Sequence, residues 1–333
     1  MENWFKLPED ERKEIIRQTS IKTNLPEAAV EKDLWVMIVL RAVFNTEYAP
    51  HLVFKGGTSL SKAWGIIDRF SEDIDLAMDR TFFGYGGDLS QTQVKKLRKA
   101  SCEFVSKTFI KDLLIELKKL TVENIEVKTL DFEESDTDPL AIEISYKSVT
   151  EKIQYLKPRI LLEISSRSLR EPFEIKTLRS HIKETFPDKD FSDKLIDIPY
   201  VTPTRTFIEK MFLLHEEFQK PKDKKIRSDR MTRHLYDIDK LSETDYLQKA
   251  IDDHELYFAI IQHRQSMTRI RYVNYESHNH KSLNFTPPSH VIKEWEKDFN
   301  EMKESMFRNE SRTFDELLSK IKEINTIFNN INY

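Results

Sequence analysis

Two short clusters carry the residue types that phosphate and metal chemistry require. The first is Lys55-Gly56-Gly57-Thr58-Ser59, and the second, after a thirteen-residue spacer, is Asp73-Ile74-Asp75. All six glycines of the chain fall between Gly56 and Gly87. Glycine serves where a backbone bends sharply or must lie close to a ligand. His51 to Phe54 reads as a short strand that Gly56-Gly57 breaks, with Thr58 and Ser59 capping a helix from Leu60 to Trp64. Such a turn aims free N–H groups and the positive end of the helix dipole at an anion. The Ser59 hydroxyl adds a donor and Lys55 a point charge. The pattern is neither G-x-x-x-x-G-K-[ST] nor G-x-G-x-x-G. In a strand, Asp73 and Asp75 share one face while Ile74 and Leu76 turn to the core. Two carboxylates on one face repel unless a cation lies between them, and hard oxygen ligands suit Mg²⁺ or Mn²⁺. Two such ions, roughly 3.5–4 Å apart, clamp an in-line phosphoryl displacement. The plainer reading of Asp-x-Asp is a solvated acidic strand edge; the glycine turn upstream weighs against it.

The elements that must position these residues follow from periodicity. Residues 9–19 and 27–45 read as helices, the second with Val30, Leu34, Met37, Ile38 and Ala42 at helical spacing. Phe82 to Gly87 reads as a mobile loop beside the site, with Tyr85 placed to close over a base, or as a loop with no such role. Gln91 to Leu120 reads as a long amphipathic helix. Strand-like runs follow at Ile125–Phe132, Ala141–Tyr146, Ile160–Ile164 and Ile196–Val201. Thr202-Pro203 then marks a switch to helices, threonine at the cap and proline at the first helical position. Strands in the first half and helices in the second predict an α+β fold. The expected division is an α+β domain over 1–201 with a mixed sheet and flanking helices. A helical domain over 202–333 is expected to contribute lysine and aspartate motifs to the cleft.

Composition bounds the rest. Hydrophobic residues make up 39% and charged residues 33%, enough for a real core in one large or two modest domains. No apolar run approaches the ~20 residues that span a bilayer. The start, Met1 to Lys6, reads as neither signal nor transit peptide. The lone Cys102 forms no internal disulfide, which fits a reducing cytoplasm and a plain helix position. The net charge of −4 excludes a globally basic nucleic-acid binder, so any RNA contact needs a local patch. Lys220, Lys222, Lys224, Lys225, Arg227 and Arg230 form one candidate, read either as a solvated loop or as a grip on RNA or NTP phosphates. Arg264, Arg269, Arg271 and Tyr272 make a milder basic-aromatic cluster. The acidic run Asp131 to Asp138 reads as a solvated loop.

Phe54-Lys55-Gly56-Gly57-Thr58-Ser59-Leu60-Ser61-Lys62 and Arg69-Phe70-Ser71-Glu72-Asp73-Ile74-Asp75-Leu76 together resemble the AbiEii/AbiGii-type nucleotidyltransferase toxins of the polymerase-β-like superfamily. Glu31-Lys32-Asp33-Leu34-Trp35 is similar to that family's N-terminal segment. Thr206-Phe207-Ile208-Glu209-Lys210 is similar to its lysine motif, and Arg233-His234-Leu235-Tyr236-Asp237 to its later Arg-x-x-x-Asp motif. The resemblance covers roughly residues 20–245. It implies NMP transfer from an NTP, with Mg²⁺, to an acceptor such as the 3′ end of tRNA. It also implies a separately encoded antitoxin, a toxin–antitoxin or phage-defence role, and a cytoplasmic protein without a membrane.

The resemblance also implies a third carboxylate from a neighbouring strand. Glu163, in the apolar run Arg159 to Ile164, is the candidate and Glu143 the runner-up, since a glutamate in such a strand is costly unless it binds something; an edge-strand glutamate in water is the alternative. Lys210 would otherwise read as a surface lysine beside the stripe Phe207, Met211 and Leu214, and Asp237 as an i, i+4 ion-pair partner of Arg233. The family reading gives Lys210 the triphosphate and makes Asp237 essential, orienting Lys210 or the acceptor. Asp73, Asp75 and Glu163 then hold Mg²⁺, while Lys55, Gly56, Gly57, Thr58 and Ser59 hold the nucleotide phosphates. The acceptor hydroxyl attacks the α-phosphorus and pyrophosphate leaves. Two rivals remain: a nucleotidyltransferase acting on a small molecule or a protein, and a non-catalytic NTP- or RNA-binding regulator.

Overall fold

The structure, a computed structural model, describes residues 3–331 apart from 133, 152–155, 193 and 308–310. Two compact units emerge. One comprises residues 1–64 and 70–201; the other joins the short segment Gly65–Arg69 to residues 202–333.

The first unit is built on a seven-stranded mixed sheet in the order β3-β4-β5-β2-β1-β7-β6. Its strands are β1 (Leu52–Lys55), β2 (Ile74–Met78), β3 (Ile125–Thr129), β4 (Leu140–Tyr146), β5 (Arg159–Ser165), β6 (Phe173–Leu178) and β7 (Ile196–Val201). Its helices are α1 (Glu9–Thr23), α2 (Glu27–Phe44), α3 (Gly56–Lys62), α4 (Gln91–Phe104), α5 (Ile110–Lys119) and α6 (His181–Thr185). A π-turn, Val105–Phe109, runs α4 into α5. Nearly every residue of α2 is buried, the charged Glu31, Lys32 and Asp33 included. Its Trp35 stacks on Tyr146 of β4 with ring centroids 4.4 Å apart. The sheet is thus α+β with one long helix driven through the core beside it.

Several expectations need correction. The helix after the glycine turn begins at Gly56, not Leu60, with Lys55 at its N-cap and no side-chain cap. Thr58 and Ser59 therefore lie inside the helix and do not cap it. Thr202 occupies the N-cap of the helix opened by Pro203, but its hydroxyl makes no capping bond. Phe82 to Gly87 is not beside Asp75. It follows the far end of β2, where Asp79 N bonds His51 O at the start of β1. There Phe82 packs on Tyr48 and His51, with centroids 5.8 and 5.0 Å apart. The acidic run is not wholly solvated either: Asp136 and Asp138 are buried. Asp138 accepts from Ser165 Oγ at 2.6 Å and Ser166 N at 3.1 Å, and Asp136 pairs with Arg98. Glu133 of that run lies outside the described residues. Strand β6 and helix α6 were not anticipated.

The second unit is helical: α7 (Pro203–Phe218), α8 (Thr232–Ser242), α9 (Tyr246–Asp252), α10 (His254–His263), α11 (Ile292–Met306) and α12 (Phe314–Asn329). Helix α8 packs against α7, α11 and α12, burying Leu235, Ile238 and Leu241. Arg69 joins this unit through a β-bridge to Phe307. Among the described residues, no helix is long and apolar enough to cross a membrane.

Candidate active site

Strand register brings the predicted residues of the sheet unit into a row. Lys55 of β1 lies opposite Asp75 of β2, and Asp75 lies opposite Glu163 of β5. Residues paired in register project from the same face of a sheet. Lysine and two carboxylates therefore sit side by side on three adjacent strands, all interior to the sheet. Strand β2 begins at Ile74, one residue later than the sequence predicts, so Asp73 is the residue just before it. Asp73 and Asp75 are half-buried, between their buried neighbours Glu72, Ile74 and Leu76.

Gly56 is fixed by this arrangement. Its φ of +82° lies in the left-handed region, and a Cβ there would stand 2.1 Å from Asp75 Oδ2. Only glycine lets the carboxylate rest against the turn. The two chemical clusters read from the sequence are thus in direct contact. Thr58 joins them a second time: its buried Oγ1 donates to the Asp73 carbonyl at 2.6 Å and lies 2.9 Å from Ser71 Oγ. That bond gives Thr58 a structural task, holding the approach to β2. Ser59 is fully buried and its Oγ has no hydrogen-bond partner among the described residues. Lys55, Gly56 and Gly57 stay half-buried, within reach of a ligand.

Of the two candidates for a third carboxylate, Glu163 is the one beside Asp75. Strand β5 lies between β4 and β2, so the edge-strand reading of Glu163 does not hold. Glu143, on β4, is engaged by Arg159, by Ser145 at 3.2 Å and by Lys128 at 3.7 Å. Burial pushes its carboxyl upward, but Arg159 and these neighbours hold it below the ordinary value. The donor set Asp73, Asp75 and Glu163 has the all-oxygen chemistry that Mg²⁺ or Mn²⁺ prefers. Among the described residues, no three His, Cys, Asp or Glu side chains are gathered closely enough to enclose an ion.

The helical unit holds the other predicted pair. Asp237 is fully buried on α8. It receives Arg69 through Nε and Nη2, both at 2.7 Å, and Lys210 Nζ of α7 at 2.9 Å. Lys210 is itself buried, so the surface-lysine reading fails; its Nζ lies 3.3 Å from His234 Nδ1. Burial raises the Asp237 carboxyl, but Arg69 and then Lys210 outweigh it and hold the group below its ordinary value. Burial depresses Lys210, and Asp237 offsets this only in part because Arg69 and Arg233 repel it. Burial, with Lys210 and Arg233 close by, pushes the His234 imidazole well below its ordinary value. Arg69 was not singled out from the sequence; its one signal is its place at the head of the Arg69-Phe70-Ser71-Glu72 run.

The Glu31-Lys32-Asp33 segment is buried in full. Glu31 accepts from Val149 N at 2.9 Å, Ser148 Oγ at 2.6 Å and Thr150 Oγ1 at 2.8 Å. Lys32 Nζ lies 2.5 Å from Glu72 Oε2 and donates to the Lys157 carbonyl at 2.8 Å. Asp33 pairs with Lys62 and accepts from His181 N at 2.9 Å.

The central strand of the mixed sheet carries Asp75 against a glycine turn, with Asp73 just before it, and the class is an α+β nucleotidyltransferase. Residues 38–320 match the family model described as "Nucleotidyl transferase AbiEii toxin, Type IV TA system", and the chain belongs to that family. The match extends well past residue 245, where the recognisable motifs end, and starts after the Glu31-Lys32-Asp33 segment. Family membership implies an NTP substrate, usually with a divalent metal, and a separate antitoxin. The chain is similar to the crystal structure of JHP933 from Helicobacter pylori, with 15% identity, a TM-score of 0.44, and 92% of this chain and 93% of that one covered. A second H. pylori chain, assigned provisionally to the nucleotidyltransferases, shows 14% identity and a TM-score of 0.44, covering 92% of this chain and 96% of its own. A search among curated proteins finds no match.

Proposed function

We propose that this nucleotidyltransferase moves NMP from an NTP to an RNA acceptor, the 3′ end of tRNA first among them, as the toxin of a toxin–antitoxin or phage-defence pair acting in the cytoplasm. The observation that carries the reading is the Lys55–Asp75–Glu163 row with Gly56 beneath Asp75. Asp73, Asp75 and Glu163 would hold Mg²⁺ or Mn²⁺, which supplies charge neutralisation at the phosphates and a lowered pKa for the attacking hydroxyl. Lys55 and the backbone of Gly56 and Gly57 bind the β- and γ-phosphates. Thr58 serves by fixing the backbone at Asp73, and Ser59 by its place in the first turns of α3. The acceptor hydroxyl loses its proton to water as its oxygen bonds to the α-phosphorus, the bond from that phosphorus to the bridging β-phosphate oxygen breaks, and pyrophosphate leaves with the electron pair. Positioning and charge complementarity supply most of the acceleration. Lys210 is required for transfer, with Asp237 and Arg69 holding its ammonium in place.

An RNA acceptor is favoured by the surface of the helical unit. The two basic clusters of the sequence meet there: Lys224 Nζ stands 5.4 Å from the Tyr272 ring, and Gln219 Oε1 accepts from Asn274 N at 2.8 Å. Lys222, Lys224, Lys225, Arg269 and Arg271 are exposed around that contact. Lys220 and Arg227 are partly spent on the buried Glu217. Exposed cations beside an aromatic ring suit a phosphodiester backbone with unstacked bases.

The test is incubation with Mg²⁺, each of the four α-labelled NTPs and total tRNA, beside Asp75→Ala. Label entering tRNA with the wild-type protein alone is the expected result. Label entering protein or a small molecule instead would overturn the RNA assignment, and no label in any acceptor would overturn the transfer.

A further inference from the structure

We propose that Lys32 and Asp33 are positioning residues for the transfer, a double clamp that sets the glycine turn against the carboxylate pair. This rests on the reading of Asp73 and Asp75 as the metal-holding pair. Three consecutive charged residues inside the most buried helix of the sheet unit are costly unless each is paired. Buried ion pairs give little net stability over apolar residues of the same size, so burying them here calls for another reason.

The reason lies in where they reach. Neighbouring residues on a helix project about 100° apart, so Lys32 and Asp33 serve two different elements. Lys32 grips Glu72, the residue immediately before Asp73. Asp33 grips Lys62, the last residue of the helix that begins at Gly56. The two gripped elements are the ones Thr58 joins directly. One helix thus anchors both, holding Glu72 between the two residues that Thr58 touches and Lys62 one turn beyond Thr58. A shift of either by about 1 Å would cost on the order of 10²-fold in rate.

The experiment compares Lys32→Met, Glu72→Gln, the double variant and Asp33→Asn in the full chain. Melting temperature is read beside the affinity for Mn²⁺ with each of the four non-hydrolysable NTP analogues. Each single change at Lys32 or Glu72 removes one member of the buried ion pair and should lower the melting temperature. The double variant removes both charges and should recover it. A clamp predicts that affinity stays down by about tenfold or more even so, the loss typical when outer-shell partners of a metal site are removed. Recovery of affinity together with stability would reduce the pair to a stability element and overturn the proposal. If the double variant stays unfolded, Asp33→Asn decides. It keeps the size and the bond from His181 N but drops the charge facing Lys62, and unchanged affinity there also overturns the clamp. Asp75→Asn separates the two levels: if it binds Mn²⁺ and nucleotide like wild type, the site reading itself fails and the clamp falls with it.

Discussion

The two units gather charge in opposite ways. In the sheet unit, Lys55, Asp75 and Glu163 are set side by side by backbone register, and the carboxylates remain half-buried where a ligand can reach them. In the helical unit, Arg69, Lys210 and Asp237 find one another through side chains, across as many as 168 residues of sequence, and are sealed from water. The first arrangement sets two carboxylates and a lysine side by side on neighbouring strands. The second gives its one carboxylate two cationic partners. The proposed chemistry on a bound ion is assigned to the first; in the second, one carboxylate holds the Lys210 ammonium.

This contrast can be broken experimentally. Asp73→Ala or Asp75→Ala should cut nucleotide transfer by at least about 10²–10³-fold, with an unchanged melting temperature; full activity in either would remove the metal assignment. Glu163→Gln should also cost transfer heavily, whereas Glu143→Gln, which loses only its contacts with Arg159 and Lys128, should leave the rate near wild type. Equal rates for the two glutamine variants would erase the distinction between them. In the helical unit the largest effect should be on stability. Asp237→Ala leaves Arg69 and Lys210 buried without their carboxylate and should cost roughly 3–5 kcal/mol in denaturant unfolding.

Smaller effects sharpen the picture. Gly56→Ala forces a side chain into the left-handed region, costing about 1–2 kcal/mol, and displaces the Asp75 carboxylate, so activity should fall further than stability. Acid should act on the helical unit through its histidines. Burial depresses both His215 and His280 to about 4. Unfolded histidine titrates near 6.5, so the unfolded state binds more protons between pH 6.5 and 4. Stability from these groups is complete above 6.5 and is lost as pH falls toward 4, at up to ~1.4 kcal/mol per pH unit for each histidine. Urea titrations of wild type and His215→Gln at pH 7 and 5 read the difference; equal losses in both would exclude His215 as a source.

Much of the site was legible because its grammar is local. A glycine pair breaking a strand, and carboxylates at i and i+2, are patterns a few residues long. Glu163 was legible as a candidate because a lone glutamate stands out in an apolar strand, as Glu143 also does; the strand register that sets Glu163 opposite Asp75 was not legible. Arg69 was not, because nothing near it in sequence announces a partner in α8. The Phe82–Gly87 loop misled because it is close to Asp75 along the chain, while a strand carries it to the other end of the sheet. Strand β6 escaped notice as an edge strand in which Phe173 and Ile175 are exposed, Ile175 at 67%. The burial of Lys210 is likewise tertiary: a lysine beside an apolar stripe reads as solvated until its counter-ion is found.

The proposed role of the Lys55–Asp75–Glu163 row is to hold a metal-bound nucleotide. Its most direct test is Mn²⁺ binding in the presence of each NTP, followed by electron paramagnetic resonance, for wild type, Asp75→Asn and Glu163→Gln. Nucleotide-dependent Mn²⁺ binding in the wild type that both variants weaken is the predicted result. Binding of equal strength in all three proteins would contradict it.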